Sequence, residues 1–338
     1  MKLLVITPKF GLTYSGGCTA TAMYVQEWIG MFDDITVLCE ETDGFLEAQV
    51  HIVQSDTSTL LRWLQNEDLR HTIGYGDFCT AESFADVGLP FYFTYHDNWP
   101  ELGQLTEPKN KDNNQLEAYA KIFTNAEAIF SVSEQKLPFI RQYTDRVYVV
   151  RNGLSQPVRK HKANMNNNGP YRVLMAGNIG SRKYKYAVEV FDILEAMEPS
   201  NIQIDICGNV EDESILRQLH RFPFLNFLGF QKGLSYDEYD LYLNTSSIEN
   251  LSLSVVDALA NHTPVMAFDV GGLDEVITNQ TGLLIEPYDV EAFAEELLRV
   301  SNRAVDFTFD QQDLSDFDWS KSGSRMLEIM MLSQKAEA

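Results

Sequence analysis

Asn244-Thr-Ser-Ser-Ile-Glu249-Asn-Leu-Ser252-Leu-Ser-Val-Val-Asp257-Ala-Leu-Ala260, followed by Asn261-His-Thr-Pro264-Val-Met-Ala-Phe268, is the stretch on which the reading of this chain turns. Leu253, Val256, Asp257 and Ala260 recur at helical spacing, which predicts a helix starting near Ser252. Pro264 then opens an apolar run that reads as a buried strand. The order is polar loop, helix N-terminus, helix, strand. A helix N-terminus presents free N–H groups and about half a positive charge, which suits a phosphate. Glu249 and Asp257 bracket that terminus.

Working outward, 338 residues suffice for about two domains. A hydrophobic fraction of 44% is enough to build their cores. The net charge of −23 is spread over both halves. That argues against a nucleic-acid binder or an enzyme docked on anionic membranes, since either needs a basic face. The one local basic cluster, Arg159-Lys-His-Lys162, is short. Cys18, Cys39, Cys79 and Cys207 are scattered without CxxC spacing, which favours a reducing cytoplasm over a zinc site or a disulfide framework. The first apolar run is too short for a signal peptide, and no stretch approaches the roughly 20 apolar residues of a membrane span.

Strands and helices alternate along the whole chain. In the first half, residues 3–6 read as a strand running into a glycine loop with Gly16-Gly17, and a helix is expected over 19–29. Residues 91–95, Phe-Tyr-Phe-Thr-Tyr, form the strongest strand signal and end on His96-Asp97. Polar groups just past a buried strand's C-terminal end are where open α/β sheets hold ligands. Residues 99–114 read as a surface loop, and Ser133 as the cap of a helix carrying Lys136. Residues 156–170, with Pro157, three consecutive asparagines and Gly169-Pro170, read as a linker. The second half starts with a strand at 172–175, a glycine turn with Arg182-Lys183 and a helix over 186–197. Strands at 202–206 and 225–228 end at Gly208 and Gly229, and 236–243 reads as helical. The expected fold is α/β, two Rossmann-like doubly wound domains facing a cleft. Domain bounds are 1–155, linker 156–170, 171–318, and a final helix 319–338.

Tyr95-His-Asp, Val149-Val-Arg-Asn-Gly153, Phe227-Leu-Gly229, the Glu249 to Asp257 signature, Gly271-Gly272 and Thr281-Gly-Leu occur in the order seen in one family. The chain from Phe91 onward resembles the GT-B retaining glycosyltransferases of family 4 (glycosyl transferases group 1). Residues 38–90 carry almost none of that resemblance.

The resemblance implies transfer of a sugar from a nucleotide-sugar donor, UDP-hexose by default, to a saccharide or glycan acceptor with retention of anomeric configuration. It implies that the final helix from Trp319 is a C-terminal crossover helix returning to the first domain, that Gly16 and Gly17 approach the donor diphosphate, and that His96 hydrogen-bonds the transferred sugar or a reacting oxygen. Lys183 and Arg182 would neutralise the departing diphosphate, and Glu249 would contact the donor sugar. Backbone N–H groups of Asn250, Leu251, Ser252 and Leu253 would bind phosphate, and Asp257 the ribose. Gly208, Leu228 and Phe230 would meet the base. No cofactor and no metal is expected, and Asp316-Phe-Asp318 is not assigned to one. Two departures stand out: the second acid is Asp257 where the family has Glu, and Asn178 stands where it has Arg. They keep open the alternative of a catalytically silent subunit; a GT-B epimerase or hydrolase of nucleotide sugars is the other alternative.

Overall fold

The computed structural model describes residues 1–98, 113–155, 158, 169–231, 233–310 and 312–336. Most of the loop expected at 99–114, the basic cluster and most of the expected linker therefore lie outside the described residues; the last two residues of that loop, Asn113 and Asn114, are helical instead. The chain divides into two units: Met1–Gly153 with Ser315–Ala338, and Leu154–Leu314 between them.

Unit 1 is built on seven parallel strands. β1 (Lys2–Ile6), β3 (Asp34–Cys39), β5 (His51–Gln54), β6 (Thr72–Gly76), β7 (Phe91–Tyr95), β8 (Ala128–Ser131) and β9 (Val147–Val149) lie in the order β5-β3-β1-β6-β7-β8-β9. A separate two-stranded pair joins β2 (Lys9–Phe10) to β4 (Glu41–Thr42). Successive side chains of β1 go to opposite faces, as strand periodicity requires. Leu3 and Val5 join a core with α1 (Gly16–Trp28) and the last helix, α10 (Trp319–Ala336). Leu4 and Ile6 join the other core, with α2 (Thr57–Asn66), α3 (Glu82–Asp86), α4 (Asn113–Asn125) and α5 (Leu137–Ile140). Layers on both faces explain why β7 is buried throughout. The indole of Trp28 donates to the Gly323 carbonyl (3.0 Å), and the Trp319 ring lies against Gly153, where a side chain would collide with it.

Unit 2 has six parallel strands. β10 (Tyr171–Ala176), β11 (Ile202–Cys207), β12 (Leu225–Gly229), β13 (Leu241–Asn244), β14 (Val265–Phe268) and β15 (Gly282–Ile285) lie in the order β12-β11-β10-β13-β14-β15. Its helices are α6 (Ser181–Ala196), α7 (Glu213–Leu219), α8 (Leu253–Ala260) and α9 (Val290–Ser301).

Three expectations are corrected. Residues 236–243 are not helical: a single 3₁₀ turn, Tyr236–Glu238, precedes β13, whose four residues are all buried. A short apolar run has no period to separate strand from helix. Helices α1 and α6 begin at Gly16 and Ser181, several residues earlier than their apolar periodicity indicates. Gly16, Gly17, Arg182 and Lys183 therefore occupy first helical turns instead of loops. The helix after β8 starts later than expected: α5 begins at Leu137 with Pro138 in its first turn, and Lys136, not Ser133, stands at its N-cap position. Among the described residues no helix is long and apolar enough to cross a membrane.

Candidate active site

In unit 2 the chain builds outward from β10 in one direction and then restarts at β13 on the other side. The crevice at the C-terminal ends of β10 and β13 is thus the switch point where such sheets bind ligands. Lys183, in the first turn of α6, folds back over the end of β10, and its Nζ donates to the Ala176 carbonyl (2.8 Å). Gly177 makes this possible, since a Cβ there would strike the ammonium. Burial pulls the Lys183 ammonium below its ordinary value, and Glu249 opposes that pull.

The loop after β13 is tied to the same turn. The Ser247 amide donates to the Arg182 carbonyl (2.9 Å), and the Thr245 hydroxyl to the Lys183 carbonyl (2.8 Å). The Arg182 guanidinium donates to the Ile248 carbonyl (3.1 Å) and lies 3.7 Å from the Glu249 carboxylate. Glu249 is only 8% exposed, and its Oε1 accepts from the Ser246 hydroxyl (2.8 Å). From the other side Gly271, at φ +61°, presses on this loop. A Cβ there would fall inside the Glu249 carbonyl, and the Gly272 amide donates to the Asn250 carbonyl (2.7 Å). Only glycine combines that backbone angle with that approach. Asn244 accepts from the Ser246 amide (2.9 Å), while its buried Nδ2 has no partner among the described residues.

Helix α8 starts within this cluster. Ser252 is its N-cap, but the side chain makes no capping bond; its hydroxyl pairs instead with Ser254 (3.1 Å). The first-turn N–H groups are thereby left to an incoming acceptor. Asp257, one turn further on, is 1% exposed. Its Oδ1 accepts from the Ser155 amide (2.9 Å) and its Oδ2 from the Ser155 hydroxyl. Gly208 sits at the end of β11 with its Cα packed on the Gly177 carbonyl, and its amide donates to Gly229 on β12 (3.0 Å). Three neighbouring strands therefore end without side chains. The Leu228 carbonyl accepts from the Gln231 side chain (2.6 Å), and Phe230 is 49% exposed.

In unit 1, Gly17 packs beside His96: a Cβ at Gly17 would touch the histidine Cβ at 3.5 Å. The His96 Nε2 is buried and has no hydrogen-bond partner among the described residues. Burial pushes its pKa down to about 4, so the imidazole is neutral near pH 7.

Residues 170–303 match the family model described as Glycosyl transferases group 1. The greater part of unit 2 is thus similar to a glycosyl transferases group 1 domain. The chain is also similar to a poly(glycerol-phosphate) alpha-glucosyltransferase of Bacillus subtilis, 23% identical over 215 residues, which cover 58% of this chain and 32% of that protein. The chain thus spans about a third of that relative's length. Among solved structures, sucrose-phosphate synthase from Thermosynechococcus elongatus superposes with a TM-score of 0.80 at 17% identity, covering 99% of this chain and all of that one. Anabaena HepE, in complex with UDP and glucose, gives 0.68 at 14% identity, covering 100% and 98%. The fold is GT-B, with both Rossmann-like units included in these matches.

Within the group 1 domain, Arg182, Lys183, Glu249 and the run from Asn250 to Leu253 come together around the ends of β10 and β13. Asp257 stands one turn away, with Ser155 already on both its oxygens. Asn178 is turned to Glu211, whose Oε1 accepts from its amide (2.6 Å). Sequence reasoning missed Ser155, Ser246, Asn244 and the role of Gly271. Of these, Gly271 carried the one available signal, a glycine pair just past a buried strand.

Proposed function

We propose that the chain transfers a hexose from a UDP-linked donor to a saccharide or glycan acceptor with retention of configuration. The observation that carries this reading is the convergence of two cations, a buried carboxylate and an uncapped helix N-terminus on one strand-end crevice of the group 1 domain. In such a transfer the bond from the anomeric carbon to the diphosphate oxygen breaks. Positive charge develops on the sugar ring and negative charge on the departing phosphate. Lys183, Arg182 and the first-turn amides of α8 supply the opposing charge where it forms, which is the effective place for it. These cations and dipoles take the charge-neutralising role a metal plays elsewhere.

Glu249, held by Ser246 and Arg182, accepts from hydroxyls of the donor sugar. The acceptor hydroxyl attacks from the face the diphosphate leaves, and its proton passes to the departing phosphate oxygen. Configuration is then retained without an enzyme nucleophile. His96, neutral and with its Nε2 unused, is suited to hydrogen-bond a sugar hydroxyl. Asp257 takes the ribose, sharing its lone pairs with Ser155.

The test is incubation with UDP-glucose, UDP-galactose and UDP-N-acetylglucosamine, with and without glycan acceptors, followed by NMR of the product's anomeric signal. The expected result is acceptor-dependent turnover giving an α-linked product. Lys183→Ala and Glu249→Ala are each expected to lower turnover at least ~10²-fold with the fold intact. Sugar interconversion or free sugar without acceptor would favour an epimerase or hydrolase. Failure to bind any nucleotide sugar would sink the enzymatic reading.

A further inference from the structure

The loop between β2 and α1, residues 11–15, has the form of an anion-binding nest, and the structure shows what fills it. One carboxylate oxygen of Asp43 accepts from the Leu12 amide (2.8 Å), the Thr13 amide (3.1 Å) and the Thr13 hydroxyl (3.1 Å). The other accepts from the Phe45 amide (3.0 Å). Successive backbone N–H groups converging on one anion are the geometry that elsewhere cradles phosphate. Here the anion belongs to the chain itself. Gly11 is required for the fit, because its missing side chain leaves the space that the Asp43 carboxylate occupies.

The clasp is backed on both sides. The β2–β4 pair runs in register, Lys9 with Glu41 and Phe10 with Thr42, and brings Asp43 alongside the loop. The Lys9 ammonium lies 2.9 Å from the Glu41 carboxylate and 5.4 Å from the centre of the Tyr14 ring. Only Tyr14 and Ser15 separate the clasped amides from Gly16, where α1 begins. Gly17, in that first turn, packs beside His96.

We infer that Asp43 is a positioning residue: by filling the nest it fixes the approach to α1, and with it the first-turn amides of Gly16 to Cys18 beside His96. It follows that a donor phosphate approaching this unit is left with the first turn of α1, because Leu12 and Thr13 are already taken. The inference rests on the proposed transfer reaction for its catalytic consequence, but not for its structural content.

The test uses the full-length protein with Asp43→Ala and Asp43→Asn. Hydrogen exchange is read at Leu12, Thr13 and Gly16 to Cys18, UDP affinity by titration calorimetry, and turnover with UDP-glucose and acceptor. In Asp43→Ala, exchange is expected to rise about tenfold or more at all five amides, including the three beyond the clasp. The kcat is expected to fall by at least about tenfold, as sub-ångström misplacement does, while the UDP Kd, most of which the contacts proposed in unit 2 set, rises by only about twofold to threefold. Asp43→Asn, which keeps one acceptor oxygen, is expected to fall between. Unchanged exchange at Gly16 to Cys18 would overturn the inference, and so would a UDP Kd that moves as far as kcat. If the unmodified protein turns over no UDP-hexose, the proposed function fails, and the exchange at Gly16 to Cys18 decides the positioning role by itself.

Discussion

Asp77 follows β6 directly and is 1% exposed. Its Oδ2 accepts from the Thr21 hydroxyl (2.6 Å) and the Thr7 hydroxyl (3.4 Å). Its Oδ1 is buried with no partner among the described residues. Burial raises its pKa from 3.8 to about 7. A raised carboxyl pKa means that the folded state holds the proton more tightly than the unfolded chain does. The associated stability is complete below about pH 4 and is lost progressively as pH rises through 7. At about 1.4 kcal/mol per unit, a shift of about three units corresponds to roughly 4 kcal/mol in full. Between pH 5 and pH 8 the part that disappears is about 2–3 kcal/mol.

Replacing Asp77 with Asn removes the titration and keeps an oxygen for Thr21. The variant is therefore expected to gain about 2–3 kcal/mol relative to the unmodified protein on going from pH 5 to pH 8. Urea unfolding followed by tryptophan fluorescence measures this for one unit alone. All four tryptophans, Trp28, Trp63, Trp99 and Trp319, belong to unit 1. Taking the difference between variant and unmodified protein at each pH cancels every other titrating group. A difference of the same size at pH 5 and pH 8 would refute the reasoning, because Asp77 would then titrate alike in the folded and unfolded states.

Two further outcomes follow from the site in unit 2. Gly271→Ala forces an L-residue into the left-handed region, at about 1–2 kcal/mol, and drives a methyl group into the Glu249 carbonyl. Turnover of UDP-hexose is expected to fall at least about tenfold while the melting temperature drops by only a few degrees; near-normal turnover would show that Gly271 does not set the Glu249 loop. Ser155→Ala removes a hydroxyl that competes with a ribose hydroxyl for Asp257 Oδ2. UDP is expected to bind a few-fold tighter by calorimetry, and weaker or unchanged binding would mean that Asp257 serves the fold instead of the nucleotide.

Much of the group 1 domain was legible because its signals are local. The apolar spacing from Leu253 to Ala260 located α8 to within a residue, and Pro264 marked the onset of β14. The aromatic run of β7 announced a strand buried on both faces. Failures came where local signals were silent. β13, Leu-Tyr-Leu-Asn, is too short to show a period, so its strand nature is decided by hydrogen bonding to β10 and β14. The first turns of α1 and α6 are glycine, serine and basic residues, whose helical state comes from the packing of later turns. Asp43 clasps amides about thirty residues away, and Ser155 meets a carboxylate more than a hundred residues on. Contacts of that range leave no mark on spacing or composition.

The return of α10 to unit 1 sets an order of events. Trp319 against Gly153 and Trp28 against Gly323 complete the core that also holds Tyr24 and Val25. These partners are synthesised on either side of the whole group 1 domain. During translation the inner unit has all its strands before the outer one has its last helix. The outer unit must meanwhile hold Trp28 and Tyr24 without their final cover. A chain ending at residue 314 would thus hold the whole inner unit together with an outer one still missing part of its core.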